Sequence, residues 1–158
     1  MRLNGKWNFI NTNGNILRED LWFDYVLDFR NGFAKVLLGR KCNLINTDGN
    51  ILRDDLWFDY VEWFQDGFAR VELGDKWNFI KPDGNILSED LWFDVVGKFH
   101  NGFAKVKLNS QWCMIDTNGN LINNVTKNIQ RVLHIIKSQL RNTIKRVVTQ
   151  YLNKNKRR

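Results

Sequence analysis

The sequence repeats itself with a period of 35 residues, and this repetition limits the folds that the chain can adopt. Lys6–Arg40 and Lys41–Asp75 are identical at 24 of 35 positions. Lys76–Ser110 continues the register, and Gln111–Ile122 begins a fourth copy that stops early. A unit of this length cannot bury its own apolar face, so successive units must stack to form a core. We therefore expect a repeat array.

Within each unit the residue pattern predicts antiparallel β-strands. The sequence KWNFI at 76–80 is rich in aromatic and β-branched residues, as strands are. A turn that ends in Gly follows in every copy, as in the type I turn NTNG at 11–14, and NIL then predicts a short returning strand. FAKVLL at 33–38 alternates like a half-buried strand, whereas 23–29 suits a single turn as well as a strand. Each unit is predicted to be a meander.

The run FDYVLDFRNGFAKV at 23–36, followed by GRKCNLINTDGNIL at 39–52, resembles the WG-type or KWG repeat of bacterial and phage-related proteins. The resemblance covers about residues 1–122. Where that family has Gly after Trp, this chain has Asn8, Asn43, Asn78 and, in the fragment, Cys113. We interpret Asn as a mild change, because it tolerates left-handed backbone geometry best after Gly. The resemblance implies a repetitive β architecture with an interaction role, and it supplies no catalytic residues.

Composition divides the chain after residue 122. Residues 1–122 contain fourteen Lys and Arg and all seventeen Asp and Glu, a net charge of −3, whereas 123–158 contain ten bases and no acid. Propellers typically need four or more blades, so three units and a fraction favour an open array. We predict an all-β repeat array over 1–122 and a C-terminal amphipathic α-helix with a frayed tail over 123–158. The predicted units are 6–40, 41–75, 76–110 and the partial unit 111–122.

The tail carries apolar residues at steps of three and four, which is typical of one face of a helix. These residues are Val125, Ile129, Val132, Leu133, Ile136, Leu140, Ile144, Val147 and Tyr151. The candidate contact residues on the opposite, basic face are Lys127, Arg131, His134, Arg141 and Lys145. Three destinations for the apolar stripe stay open. It caps the array, it pairs with its copy in another subunit, or it lies on nucleic acid or, less expectedly, an anionic membrane.

Three Trp-Phe-Asp triplets, which begin at Trp22, Trp57 and Trp92, suggest a ladder of binding sites. In the functional interpretation the rings stack on sugars or bases and each Asp accepts hydrogen bonds. In the structural interpretation the rings fill the core between units, and each Asp binds backbone N–H groups at the turn that follows. Stacking already explains the repetition, so we favour the second. The predicted shared core is Leu21, Trp22, Phe23, Val26, Phe29, Phe33 and Val36.

Positions at which the units differ are better candidates for specific binding. One such position holds Asp28, Trp63 and Lys98 in the three units. A large aromatic residue where other units carry charge is expected to be partly exposed, and exposed aromatic residues often anchor interfaces. We predict that Trp63 contributes to a protein contact. The alternative is that Trp63 covers the neighbouring unit or the tail helix.

No residue pattern indicates catalysis or metal binding. Acidic pairs such as Glu19–Asp20 recur in each unit, whereas catalytic carboxylates need two different environments. Cys42 and Cys113 fit no metal-ligand spacing, and no apolar run has the length of a membrane span or signal peptide. We therefore expect a cytoplasmic, non-enzymatic protein without metal, cofactor or small-molecule substrate.

Its predicted role is protein–protein interaction or structural assembly, with a protein partner or with copies of itself. A nucleic-acid-associated accessory protein that works through the basic helix is the second hypothesis. A carbohydrate-binding module that uses the repeated aromatic residues is the third.

Overall fold

The computed structural model describes the backbone of residues 1–122 and 124–155, and the side chains of residues 1–122 and 134–149. The chain divides into two compact units, Met1–Leu121 and Ile122–Arg158. The strands are β1 (Arg2–Leu3), β2 (Lys6–Trp7), β3 (Tyr25–Val26), β4 (Phe33–Leu38), β5 (Lys41–Asn46), β6 (Tyr60–Val61), β7 (Ala69–Leu73), β8 (Lys76–Ile80), β9 (Val95–Val96), β10 (Phe103–Leu108), β11 (Gln111–Asp116) and β12 (Leu121–Ile122). The helix α1 spans Asn124–Asn155.

The strands form open antiparallel sheets, which confirms the predicted β-repeat array. β3–β4–β5 and β6–β7–β8 are three-stranded sheets, β9–β10–β11–β12 is four-stranded, and β1 pairs with β2. Each larger sheet crosses the boundary of the sequence repeat. β4 ends the first unit and pairs with β5 of the second, with Phe33 opposite Asn46 and Leu38 opposite Lys41. Backbone hydrogen bonds therefore tie consecutive repeats together.

The returning strand predicted at NIL is wrong for the first three copies. Each copy forms a single bridge, as between Ile45 and Ile51, and only the last copy extends into β12. In the second copy, one backbone hydrogen bond follows the bridge, from the N–H of Leu52 to the carbonyl of Leu44. The chain then leaves the ladder for the loop that carries the acidic pair, so no further residues pair.

The turns confirm the predicted glycine geometry and also bring the units together. The last Gly of each turn has a φ of 83 to 86°. A Cβ on Gly84 would lie 2.2 Å from the carbonyl oxygen of Leu52, and one on Gly49 would lie 2.4 Å from that of Leu17. The corresponding Gly14 has nothing within 4 Å of such a Cβ. The second and third turns thus press directly on the backbone of the preceding unit.

The buried core lies between successive units. Phe23 and Val36 of the first unit are fully buried and cluster with Ile45 of the second. The partly buried Trp57 packs against this cluster, and Trp92 packs in the same way against the cluster of the second unit. The stacked core that repetition predicts is therefore confirmed for these two tryptophans.

The predicted shared core is correct for most of its members. Leu21, Val26 and Phe29 are partly buried and pack against the first cluster, while Phe33 packs against the second. Trp22 is only partly buried and belongs to none of the three clusters.

The C-terminal helix is confirmed as the only helix among the described residues. Within the described part of the chain, no helix combines the length and apolar character needed to cross a membrane.

Candidate interaction surface

The repeated polar residues hold the loops of each unit in place. The side chains of Asn8, Asn43 and Asn78 are fully buried. The Asn78 amide donates to the carbonyls of Ser88 at 2.8 Å and Leu91 at 2.9 Å, and its oxygen accepts from the Phe79 N–H at 2.8 Å. Asn8 and Asn43 repeat these three bonds.

The interpretation of these asparagines as left-handed substitutes for Gly is therefore wrong, because none of the three has a positive φ. Each is a buried clip between a strand and the loop that follows it. A polar residue kept in all three copies of an apolar strand was the signal for this role.

The acid of each Trp-Phe-Asp triplet is also structural. Asp59 accepts from the Lys41 ammonium at 2.6 Å and from the Gly74 N–H at 2.8 Å. The Lys41 hydrogen bond, and then that from Gly74, lower the pKa of Asp59. Asp24 and Asp94 are held in the same manner. The predicted backbone bonding is confirmed, but its location was wrong. The turn involved is the one between β7 and β8, because the sheet folds that turn back onto Asp59.

The recurring acidic pairs are exposed and connect neighbouring units. Arg18 pairs with Asp54 of the next unit at 3.4 Å, and Arg53 pairs with Glu89 at 3.0 Å. The arrangement is a ladder of surface ion pairs along the stack. The repeated residues are thus occupied in contacts within and between units.

Trp63, which breaks the repeat, lies partly exposed between units. Two cations of the first unit lie over its ring, with the Arg30 guanidinium carbon 5.0 Å and the Lys35 ammonium 4.9 Å from the ring centroid. Lys35 also lies 5.5 Å from the ring centroid of Tyr60, whose side chain is exposed. Such cation–π contacts contribute about 0.5–1 kcal/mol each at exposed sites. Trp63 therefore covers the neighbouring unit while part of its surface stays free.

Beside this ring is an open cleft of about 430 Å³, the Trp63 cleft, lined mainly by Lys35, Tyr60, Trp63, Gln65 and Lys98. These residues come from all three full units. The cleft also joins Trp63 to Lys98, the residues that hold the same repeat position in the second and third units. Lys35 and Tyr60 were not singled out from the sequence, because their role depends on the stacking of one unit on the next.

The acidic group of the cleft is neutralised by a neighbour. Glu62 forms an ion pair with Arg70, whose Nε lies 2.7 Å from Oε2. Arg70 also donates to the Val96 carbonyl of the third unit at 2.9 Å. In contrast, burial lowers the pKa of Lys35, because its charge is partly removed from water.

The helix presents the described members of its predicted basic face to solvent. His134, Arg141 and Lys145 are exposed, and so are the stripe residues Ile136, Leu140, Ile144 and Val147. Lys127 and Arg131 lie within α1, but their side chains fall outside the described residues, as do those of Tyr151 and of the stripe residues before 134.

Among the side chains that the structure describes, no three His, Cys, Asp or Glu residues converge as metal ligands would.

The sheets, the stacked cores and the ion pairs between units define an open β-repeat protein. Three segments, residues 23–42, 58–77 and 91–112, match the model of the WG containing repeat. The chain therefore belongs to the WG-repeat family, which is consistent with an interaction or structural role. No curated protein and no solved structure shows significant similarity to it.

Proposed function

We propose that this chain is a non-enzymatic scaffold that binds a protein partner, or copies of itself, through the Trp63 cleft. The observation that carries the proposal is that residues repeated in every unit and residues that differ between units have different roles. Many of the repeated side chains hold the units together, whereas Trp63, Gln65 and Lys98, which stand at positions that differ between units, meet Lys35 of the first unit in one open, partly aromatic cleft. Partly exposed aromatic residues are frequent anchors of protein interfaces.

The unit-to-unit contacts support this role because they make the cleft rigid. Trp63 is held by Arg30 and Lys35 on one side of the unit boundary, and Arg70 reaches the third unit on the other. A binding surface that is ordered before the partner arrives loses less entropy on association.

The test compares Trp63→Ala with Trp112→Ala in the full chain. Trp112 is a suitable control because the residue is 52% exposed and a Lys105 ammonium lies 4.4 Å from its ring centroid, but it does not line the cleft. Proteins retained from source-cell lysate are identified, purified and re-tested, and self-association is measured by sedimentation. We expect Trp63→Ala to weaken binding to the purified partner or to reduce self-association, while Trp112→Ala changes neither. If Trp63→Ala leaves both intact, the proposal fails.

A second candidate function is contact with nucleic acid through the helix. It is favoured by the exposure of His134, Arg141 and Lys145 in a segment, 123–158, that contains no acidic residue. Phosphate contacts of this kind make affinity fall steeply with salt.

The helix is tested by titrating duplex DNA and structured RNA at low and high salt. The double variant Arg141→Glu/Lys145→Glu is compared with the unchanged chain. We expect salt-sensitive binding that the double variant loses. Binding that is absent at low salt, or unaffected by the two substitutions, contradicts this second function.

A further inference from the structure

The charges around the Trp63 cleft do not balance. Arg30, Lys35 and Lys98 lie against the Trp63 ring or line the cleft, and none of them forms an ion pair with a described residue. Glu62 is already bound by Arg70 through two hydrogen bonds. Three cations thus remain around one cleft of a domain whose net charge is −3.

Lys35 adds to this excess of positive charge in a costly way, because its side chain is partly buried. Its ammonium contacts the faces of two rings instead of a carboxylate. Burial lowers the pKa of Lys35, and the attraction of Glu62, which already pairs with Arg70, offsets this only in part. A carboxylate in the cleft would restore the lost stabilisation.

The geometry favours carboxylates on a peptide over a nucleic acid. Arg30 and Lys35 lie about 5 Å from the Trp63 centroid, so a base that stacked on the face under either cation would have to displace it. A long polyanion would also follow the surface of a domain that is acidic overall, at a cost in repulsion. A short acidic segment meets only the local cations.

From these observations we infer that the Trp63 cleft binds an acidic segment of a partner protein. Its carboxylates would pair with Arg30, Lys35 and Lys98, while an apolar side chain rests on the exposed part of Trp63 and Tyr60. The site occurs once per chain, because the other units carry Asp28 or Lys98 where the second carries Trp63. This inference rests on the proposed scaffold function and specifies the chemistry of the partner.

The probe is a short fluorescein-labelled peptide of glutamates around one phenylalanine, and its affinity is measured by anisotropy with the full chain. The double variant Lys35→Gln/Lys98→Gln is compared with Arg141→Gln/Lys145→Gln, which removes the same charge from the exposed helix. We expect the cleft variant to weaken binding at least about tenfold, as the loss of charge-assisted hydrogen bonds implies. The helix variant should change the affinity by less than about twofold, the usual effect of removing exposed charges that salt screens. Titration to saturation should give one peptide per chain.

A glutamine-for-glutamate peptide and a single-stranded oligonucleotide complete the design. Weak binding of the glutamine peptide supports recognition of carboxylates. The inference is overturned if the helix variant, rather than the cleft variant, loses the peptide, or if the unchanged chain binds no acidic peptide. It is also overturned if the cleft variant loses the oligonucleotide instead of the peptide. The scaffold function survives these negative results when Trp63→Ala still abolishes binding to the purified partner, so the two failures are distinguishable.

Discussion

The close approach of each turn to the preceding unit gives the sharpest test of the stacked array. Gly84 has a φ of 86°, and a Cβ there would lie 2.2 Å from the backbone oxygen of Leu52, whereas real Cβ contacts stay beyond 3.0 Å. The oxygen belongs to the backbone, so it cannot rotate away as a side chain would. Gly84→Ala must therefore push two units apart.

The expected loss has two parts. An alanine with positive φ costs about 1–2 kcal/mol on its own. The overlap adds about 1–3 kcal/mol, as for overpacked cores. Gly14→Ala is the matched control, because Gly14 has almost the same φ, 83°, but nothing lies within 4 Å of its Cβ position. The control should therefore show the backbone cost alone.

Urea unfolding of both variants, followed by tryptophan fluorescence, measures the difference. We expect Gly84→Ala to lose about 1–3 kcal/mol more free energy of unfolding than Gly14→Ala, the overlap cost alone. At roughly 3 °C per kcal/mol for a chain of this size, its Tm should be lower than that of the control by about 3–9 °C. Equal losses in the two variants would refute the direct contact between units.

Three further predictions concern the repeated polar residues. Asn78→Gly, which restores the family's usual residue, should lower the free energy of unfolding in urea by about 3 kcal/mol, because buried backbone groups lose their hydrogen-bond partners. If stability did not fall, the side chain of Asn78 would not be needed, and Asn would serve only as a backbone substitute for Gly. Asp59 has a pKa lowered by Lys41 and then Gly74, so its stabilisation is complete above the unfolded-state pKa and is lost as pH falls through the folded-state pKa. The difference in urea midpoint between the unchanged chain and Asp59→Asn should thus be present at neutral pH and shrink below about pH 4, and a gap that widens in acid would contradict the assignment. Arg53→Ala removes the exposed ion pairs with Asp55 and Glu89 and should cost less than about 1 kcal/mol, with a smaller effect at high salt; a large or salt-independent loss would argue against surface pairs.

Much of the fold was predictable because its signals are local. The turn Gly with positive φ and the strand FAKVLL each follow from the preferences of a few adjacent residues, and the period of 35 residues is visible when the sequence is aligned with itself. The NIL segment shows the limit of such signals. Its composition suits a strand, but the chain turns away after one bridge, and the loop beyond is held by Asn43 from ten residues upstream.

The candidate site was predicted only in part. Trp63 stood out because it breaks the repeat, but its neighbours Arg30 and Lys35 look ordinary in the sequence. They meet Trp63 through the stacking of one unit on another, about 30 positions away along the chain. No pattern within a single unit predicts a contact between residues so far apart in the sequence.

The sequence by itself therefore determined the repeat, the β meander and the C-terminal helix, because periodicity and turn chemistry act over short stretches of chain. Tertiary structure decided what the individual polar and aromatic residues do. It made Asn78 a buried clip instead of a flexible backbone position, and it placed cations from different units around Trp63. The reason is that these contacts depend on the register in which one unit stacks on the next. The repeated residues are compatible with that register, but it cannot be deduced from them.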